Sequence, residues 1–148
     1  MKKLITFVSI ILISATISAQ EIIKSKADFK KLTEQQIQYK TKPLTSFLNN
    51  LKVEIKSITY QKEGEANSNQ IILRFDDRIS YNSKRKENVI PSRITIQFMS
   101  DKFTKAVFNN LKEYGTIEKC DDIKDFIQKI QTLKVFSISG QDDMRHQK

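Results

Sequence analysis

Between Ser92 and Met99 the chain alternates cleanly. Ile94, Ile96 and Phe98 fall on one side, and Arg93, Thr95 and Gln97 on the other. Successive side chains of a strand point to opposite faces, so this run fits a strand with one buried and one wet side. Gln70 to Asp76 repeats the pattern, with Ile71, Leu73 and Phe75 set against Ile72, Arg74 and Asp76. A sheet with one polar face takes helices on its other face only, which is the arrangement of antiparallel α+β proteins.

The rest of the chain supplies such helices. Thr41 to Leu51 carries Leu44, Phe47, Leu48 and Leu51 at helical spacing, with Thr41 as the cap and Pro43 in the first turn. Asp101 to Tyr114 places Phe103, Val107, Leu111 and Tyr114 on one stripe, capped by Ser100 or Asp101 and ended by Gly115. Asp121 to Gln131 has Ile123, Phe126, Ile127 and Ile130 at i, i+3, i+4 and i+7, with Asp121 and Asp122 where a helix start favours negative charge. Phe29, Leu32 and Tyr39 mark a weaker stripe over 21–40, with Asp28 as its cap. Two further strands are read at 53–60 and 133–139, the second broken by Gly140; the connection 61–69 contains Gly64 and suits a hairpin loop.

The expected fold is therefore a two-layer α+β domain of about four largely antiparallel strands with helices packed on one face. Its core would hold Leu48, Leu51, Ile55, Ile71, Leu73, Phe75, Ile94, Ile96, Phe98, Phe103, Val107, Leu111, Phe126, Ile127, Ile130 and Val135.

The N-terminus reads as an address rather than as structure. Met1-Lys2-Lys3 precedes an apolar run from Leu4 to Ala15, and small or polar residues follow through Gln20. That is the layout of a secretory signal peptide. The apolar core, about a dozen residues, is shorter than the roughly 20 that span a bilayer as a helix. Cleavage is expected after Ala19, although Ile17 is not ideal at the third position before the cut. The expected organisation is a leader at 1–19, one domain at 20–140 and a frayed polar tail at 141–148, in a periplasmic or secreted protein with no integral membrane segment once cleaved.

The formal charge is +9, and about +7 without Lys2 and Lys3. An excess of this kind attracts anionic partners such as lipopolysaccharide, acidic glycan or nucleic acid. It also arises from a Lys-rich composition that serves solubility. No motif of a nucleic-acid-binding fold accompanies it, so nucleic acid is not the expected partner. The single cysteine, Cys120, cannot close an internal disulfide. It is expected as a small, half-buried residue at the start of a helix, with an intermolecular thiol, and hence a homodimer, as the alternative.

Fifteen residues separate the second and third strands, Asp77 to Pro91, where hairpin connections usually take about 2–5. This segment holds Tyr81 and the basic triplet Lys84, Arg85 and Lys86. Read as a long loop, it is the candidate ligand surface, with Tyr81 supplying apolar area and the triplet supplying charge to an anionic envelope component. The competing reading has Tyr81, Val89 and Ile90 pack back on the domain while the charges stay solvated.

Catalytic constellations are not evident. His146 is the only histidine and lies in the expected tail, so neither a nucleophile–histidine pair nor a metal site with Asp142 and Asp143 has a rigid frame. Glu54-x-Lys56 resembles the acidic-x-Lys end of a group of metal-dependent nucleases, but the companion acid upstream is missing. Asp76 is expected to face Arg78 or Arg93. Three glycines leave no phosphate-cradling loop. No catalytic residue, metal or cofactor is assigned. The expected function is an exported, non-enzymatic binding module. The alternatives are a structural or assembly protein of the cell envelope and a carboxylate-dependent hydrolase of envelope polymers.

Overall fold

The computed structural model describes residues 22–62, 69–112 and 114–145. The expected leader, Gly64 and His146 lie outside the described residues.

Five strands form one antiparallel sheet: β1 (Ser57–Gln61), β2 (Gln70–Arg74), β4 (Arg93–Phe98), β5 (Tyr114–Ile117) and β6 (Val135–Gln141), in the order β5-β1-β2-β4-β6. Two short strands, β3 (Val89–Ile90) and β7 (Met144–Arg145), pair separately. The register carries the sequence alternation across the sheet. Tyr60, Ile71, Ile96 and Ile138 lie side by side on the buried face, next to the row Ile58, Leu73, Ile94 and Gly140. On the opposite face run Thr59, Ile72, Thr95 and Ser139, and beside them Ser57, Arg74, Arg93 and Gln141. The protein is thus the α+β fold that the alternation implies, except that the helices are not confined to one face: most supply the second layer, and the one at Arg78–Lys86 lies on the polar side.

Aromatic contacts join that layer to the sheet. Phe29, in a 3-10 turn at Lys26–Lys30 that leads into α1 (Lys31–Gln35), packs on Phe75 with ring centroids 4.5 Å apart. Phe108 of α4 (Lys102–Asn109) meets Phe98 at 5.8 Å, and Phe126 of α5 (Cys120–Ile130) stacks on Tyr60 at 5.4 Å. Phe47 of α2 (Leu44–Leu48) meets Tyr39 edge-on. Such pairs add about 0.5–1.5 kcal/mol each beyond the area they bury. Gly140 allows the Lys26–Lys30 turn to cross the sheet, because a Cβ at that position would overlap the Phe29 carbonyl.

Several expectations are corrected. The segment 77–91 is no loop: it forms α3 (Arg78–Lys86) followed by β3. Asp77 caps α3 by accepting from the Ser80 N–H at 2.8 Å, and Asn88 ends the turn in a left-handed conformation at φ 58°. This helix buries no residue fully, so it has no apolar stripe to reveal it in the sequence. Phe103 leaves the core, 58% exposed, because Asp101 starts α4 in a phase that buries Thr104 and Phe108 instead. Tyr114 and Gly115 belong to β5 rather than to a helix end. Thr41 adopts φ 64° and is not a cap; Pro43 takes the cap position of α2. The strand expected from Val53 starts at Ser57, and Leu48, Leu51, Ile55, Val107, Leu111 and Ile127 are partly buried at the margin of the core.

Gly140 lies within β6, and Gln141 to Arg145, expected to fray, continue into β7. Cys120 is exposed, not half-buried. No helix among the described residues is long and apolar enough to cross a membrane.

Candidate functional site

The polar face of the sheet is a lattice of short side chains. Thr59 and Thr116 hydroxyls lie 3.3 Å apart across β1 and β5. Gln70 donates to Gln61 at 2.7 Å, and Ser137 donates to Gln97 at 2.7 Å. Cross-strand pairs of this kind stabilise a sheet by about 0.2–1 kcal/mol each. One cross-strand relation breaks that rule. Arg74 of β2 sits directly opposite Arg93 of β4, and like charges in that position destabilise.

α3 lies against this face beside Arg74. The Arg74 guanidinium rests over the Tyr81 ring, 4.7 Å from its centroid. Between α3 and strands β1, β2 and β5 is a cavity of about 490 Å³. Lys56, Ser57, Thr59 and Thr116 line it from the sheet; Arg74, Asp76 and Asp77 line it from the end of β2; Arg78, Tyr81 and Asn82 come from α3, and Tyr114 and Glu118 from β5 and its end. The volume falls in the range of small-molecule sites, about 300–1,000 Å³.

Two of the residues lining this cavity carry a buried polar atom with no hydrogen-bond partner among the described residues: Nε of Arg74 and Oδ2 of Asp76. The other carboxylate oxygen of Asp76 is occupied. Oδ1 accepts from Lys26 Nζ at 2.6 Å and from Lys84 Nζ at 2.9 Å. Asp76 therefore does not pair with Arg78 or Arg93 as the sequence suggested.

Lys84 has a further partner in Asp143, whose Oδ2 lies 2.6 Å away. Partial burial opposes the charge on Lys84, but its hydrogen bonds to Asp143 and Asp76 outweigh that and raise its pKa above the ordinary lysine value. Burial likewise opposes the charge on Asp143. The Lys84 ammonium and the Ser92 N–H, which donates to Oδ1 at 2.8 Å, win and lower its pKa. The Ser80 N–H lowers that of Asp77.

The residues expected to bind ligand are thus separated. Tyr81 lines the cavity. Lys84 is committed to internal ion pairs. Arg85 and Lys86 are exposed and do not line the cavity, nor does Cys120. The cavity's cations, Lys56, Arg74 and Arg78, are matched in number by Asp76, Asp77 and Glu118, so it is not the basic surface that the net charge suggested. Arg74 was missed as a site residue, yet the alternation already set it beside Asp76 on the wet face of β2. Among the described residues no group of three or more His, Cys, Asp or Glu side chains is placed to hold a metal ion.

Compared with family models, with curated proteins and with solved structures, the chain finds no match.

Proposed function

We propose that this protein is an exported, non-enzymatic binding module, and that its ligand sits in the cavity between α3 and the polar face of the sheet, with one anionic group on Arg74. The observation that carries this reading is the Arg74 guanidinium stacked on the Tyr81 ring, both residues lining the cavity. A guanidinium that keeps its orientation without a carboxylate partner is prepared for one. The Arg74–Arg93 opposition supports the same reading, since local rules are commonly broken at functional sites. The export signal would place the ligand in the periplasm or outside the cell. The balanced lining favours a single negative charge over a polyanion such as nucleic acid or a phosphate-rich lipid.

The test is an NMR titration of the purified protein with sodium acetate, following the Arg Nε–H signals. Saturable movement of the Arg74 signal, with the Arg85 signal static, is expected. Absence of movement at about 10 mM, where an interaction of about 4 kcal/mol would register, would sink the reading.

A further inference from the structure

The two edges of the sheet differ. Along β6 the segment from Lys26 to Gln35 packs against the strand. The Thr41 N–H donates to the Val135 carbonyl at 2.8 Å, and the Val135 N–H to the Lys42 carbonyl at 2.9 Å. β5, at the other end, pairs only with β1 among the described residues. Its outward groups follow from the ladder, because hydrogen-bonded pairs alternate along antiparallel strands. The Phe98 N–H donates to the Asn69 carbonyl at 3.0 Å, so Ile71 and Leu73 bond to β4, and Gln70, Ile72 and Arg74 bond to β1. Counted on through the register, Ile58 and Tyr60 bond to β5 through Ile117 and Gly115. The N–H and C=O groups of Tyr114 and Thr116 therefore point away from the sheet. Beside them is a recess of about 390 Å³ lined by Thr116, Ile117, Glu118, Lys119 and Asp122. An edge that presents unpaired backbone is a template for another strand.

We infer that β5 takes the β5 of a second copy of this chain, joining two five-stranded sheets into one. The edge is complementary to itself. Two copies running antiparallel about a two-fold axis at Thr116 set Thr116 against Thr116, Tyr114 against Glu118 and Gly115 against Ile117, and no like charges face each other in these pairs. Thr116 bonds outward, so its pair on the axis closes two backbone hydrogen bonds. On the polar face the Thr59–Thr116 hydroxyl contact would continue across the axis, and the Tyr114 hydroxyl would donate to the Glu118 carboxylate. On the other face the Tyr60 ring already lies over Gly115, where a Cβ would come within 2.3 Å of its hydroxyl oxygen; Ile117 of the second copy would pack beside that ring. Tyr114, Thr116 and Glu118 also line the cavity, so each copy would add its Glu118 to the β5 side of its neighbour's cavity. The inference stands apart from the anion site proposed above.

The experiment is sedimentation equilibrium of the purified protein, with and without reductant, from about 10 μM to about 1 mM. A strand pair this short is well below a standard interface, so a weak dimer is expected, its average mass rising from one chain toward two across that range. Thr116→Lys and Thr116→Glu each set like charges opposite one another on the axis, and each should stay monomeric. Thr116 is exposed, so the circular dichroism of both variants should match that of the unaltered protein. An equimolar mixture of the two should regain at least the mass of the unaltered protein, since Lys then faces Glu. If the unaltered protein stays monomeric throughout, the inference fails and the edge is left to some other extended chain. Association that persists in both single variants places the interface elsewhere and overturns it, as does a mixture that stays monomeric. Association seen only without reductant is a Cys120 disulfide and overturns it too.

Discussion

Lys84 and Asp143 meet at 2.6 Å across 59 residues of chain, and through them the segment after β6 holds α3 against the sheet. Asp143 adds a second hold by accepting from the Ser92 N–H just before β4. Tyr81, Arg78 and Asn82 line the cavity from the helix so held. Removing the carboxylate with Asp143→Asn should cost about 1 kcal/mol, the upper end for a partly exposed pair. Urea midpoints of the two proteins measure it.

The same pair sets a pH dependence. The Asp143 pKa is lower in the folded protein than in the unfolded chain, where it is near 3.9. Its contribution is complete above the unfolded value and is lost as pH falls through the lower folded one. Lys84 works in the opposite sense: its raised pKa gives stability that is complete below about 10.4 and is lost only as pH rises through the folded value. Stability should therefore fall from about pH 5 downward. The fall should be shallower in Asp143→Asn, as read from thermal midpoints across that range.

Tyr81 combines two roles that the sequence could only set against each other. Its ring supports Arg74 and also walls the cavity. Tyr81→Ala should lose about 1 kcal/mol of stability, the size of a partly exposed cation–π contact, together with acetate binding. Tyr81→Phe should retain the stack and most of the binding. Chemical denaturation and the titration described above check both.

Gly140 is required by crowding rather than by backbone freedom. In Gly140→Ala the new methyl would meet the Phe29 carbonyl, which belongs to backbone and cannot rotate aside. A loss of about 3 kcal/mol is expected, at the upper end for overpacking, and a urea midpoint would show it.

Cys120 opens α5 on the surface. The native protein should therefore react with one equivalent of a thiol reagent at the rate of an accessible cysteine. Addition of denaturant should accelerate that reaction little. A slow reaction that waits for unfolding would return Cys120 to the half-buried position expected from sequence.

How much of this was legible depended on whether an element shows a face to the core. Ile71, Leu73 and Phe75, and Ile94, Ile96 and Phe98, are buried as the period-2 pattern required, and Ile123, Phe126 and Ile130 as the helical pattern required. α3 has no such face. Its Ile79 is 84% exposed, and its start is signalled only by Asp77, a cap that is equally at home in a turn. β5 was hidden because Tyr114 and Gly115 continue the chain from α4 with a spacing that a helix end also satisfies.

The site was legible in part for the same reason. Arg74 and Asp76 appeared as outward residues of a strand, but their meeting with Tyr81, Lys26 and Lys84 is tertiary. Without α3 in place, the basic triplet drew the eye to Lys84, Arg85 and Lys86. One of these is spent on internal pairs, and the other two lie outside the cavity.

That contrast gives the most direct measurement of the account: the affinity for acetate of Arg74→Gln beside that of the double variant Arg85→Gln/Lys86→Gln. Arg74→Gln removes a charge-assisted hydrogen bond of about 1.5–3 kcal/mol and should weaken binding roughly ten- to hundredfold. The double variant should stay within about twofold of the unaltered protein, because exposed charges outside the cavity act only through a screened field. Binding that survives Arg74→Gln and is lost in the double variant would contradict the account and return the site to the outer surface of α3.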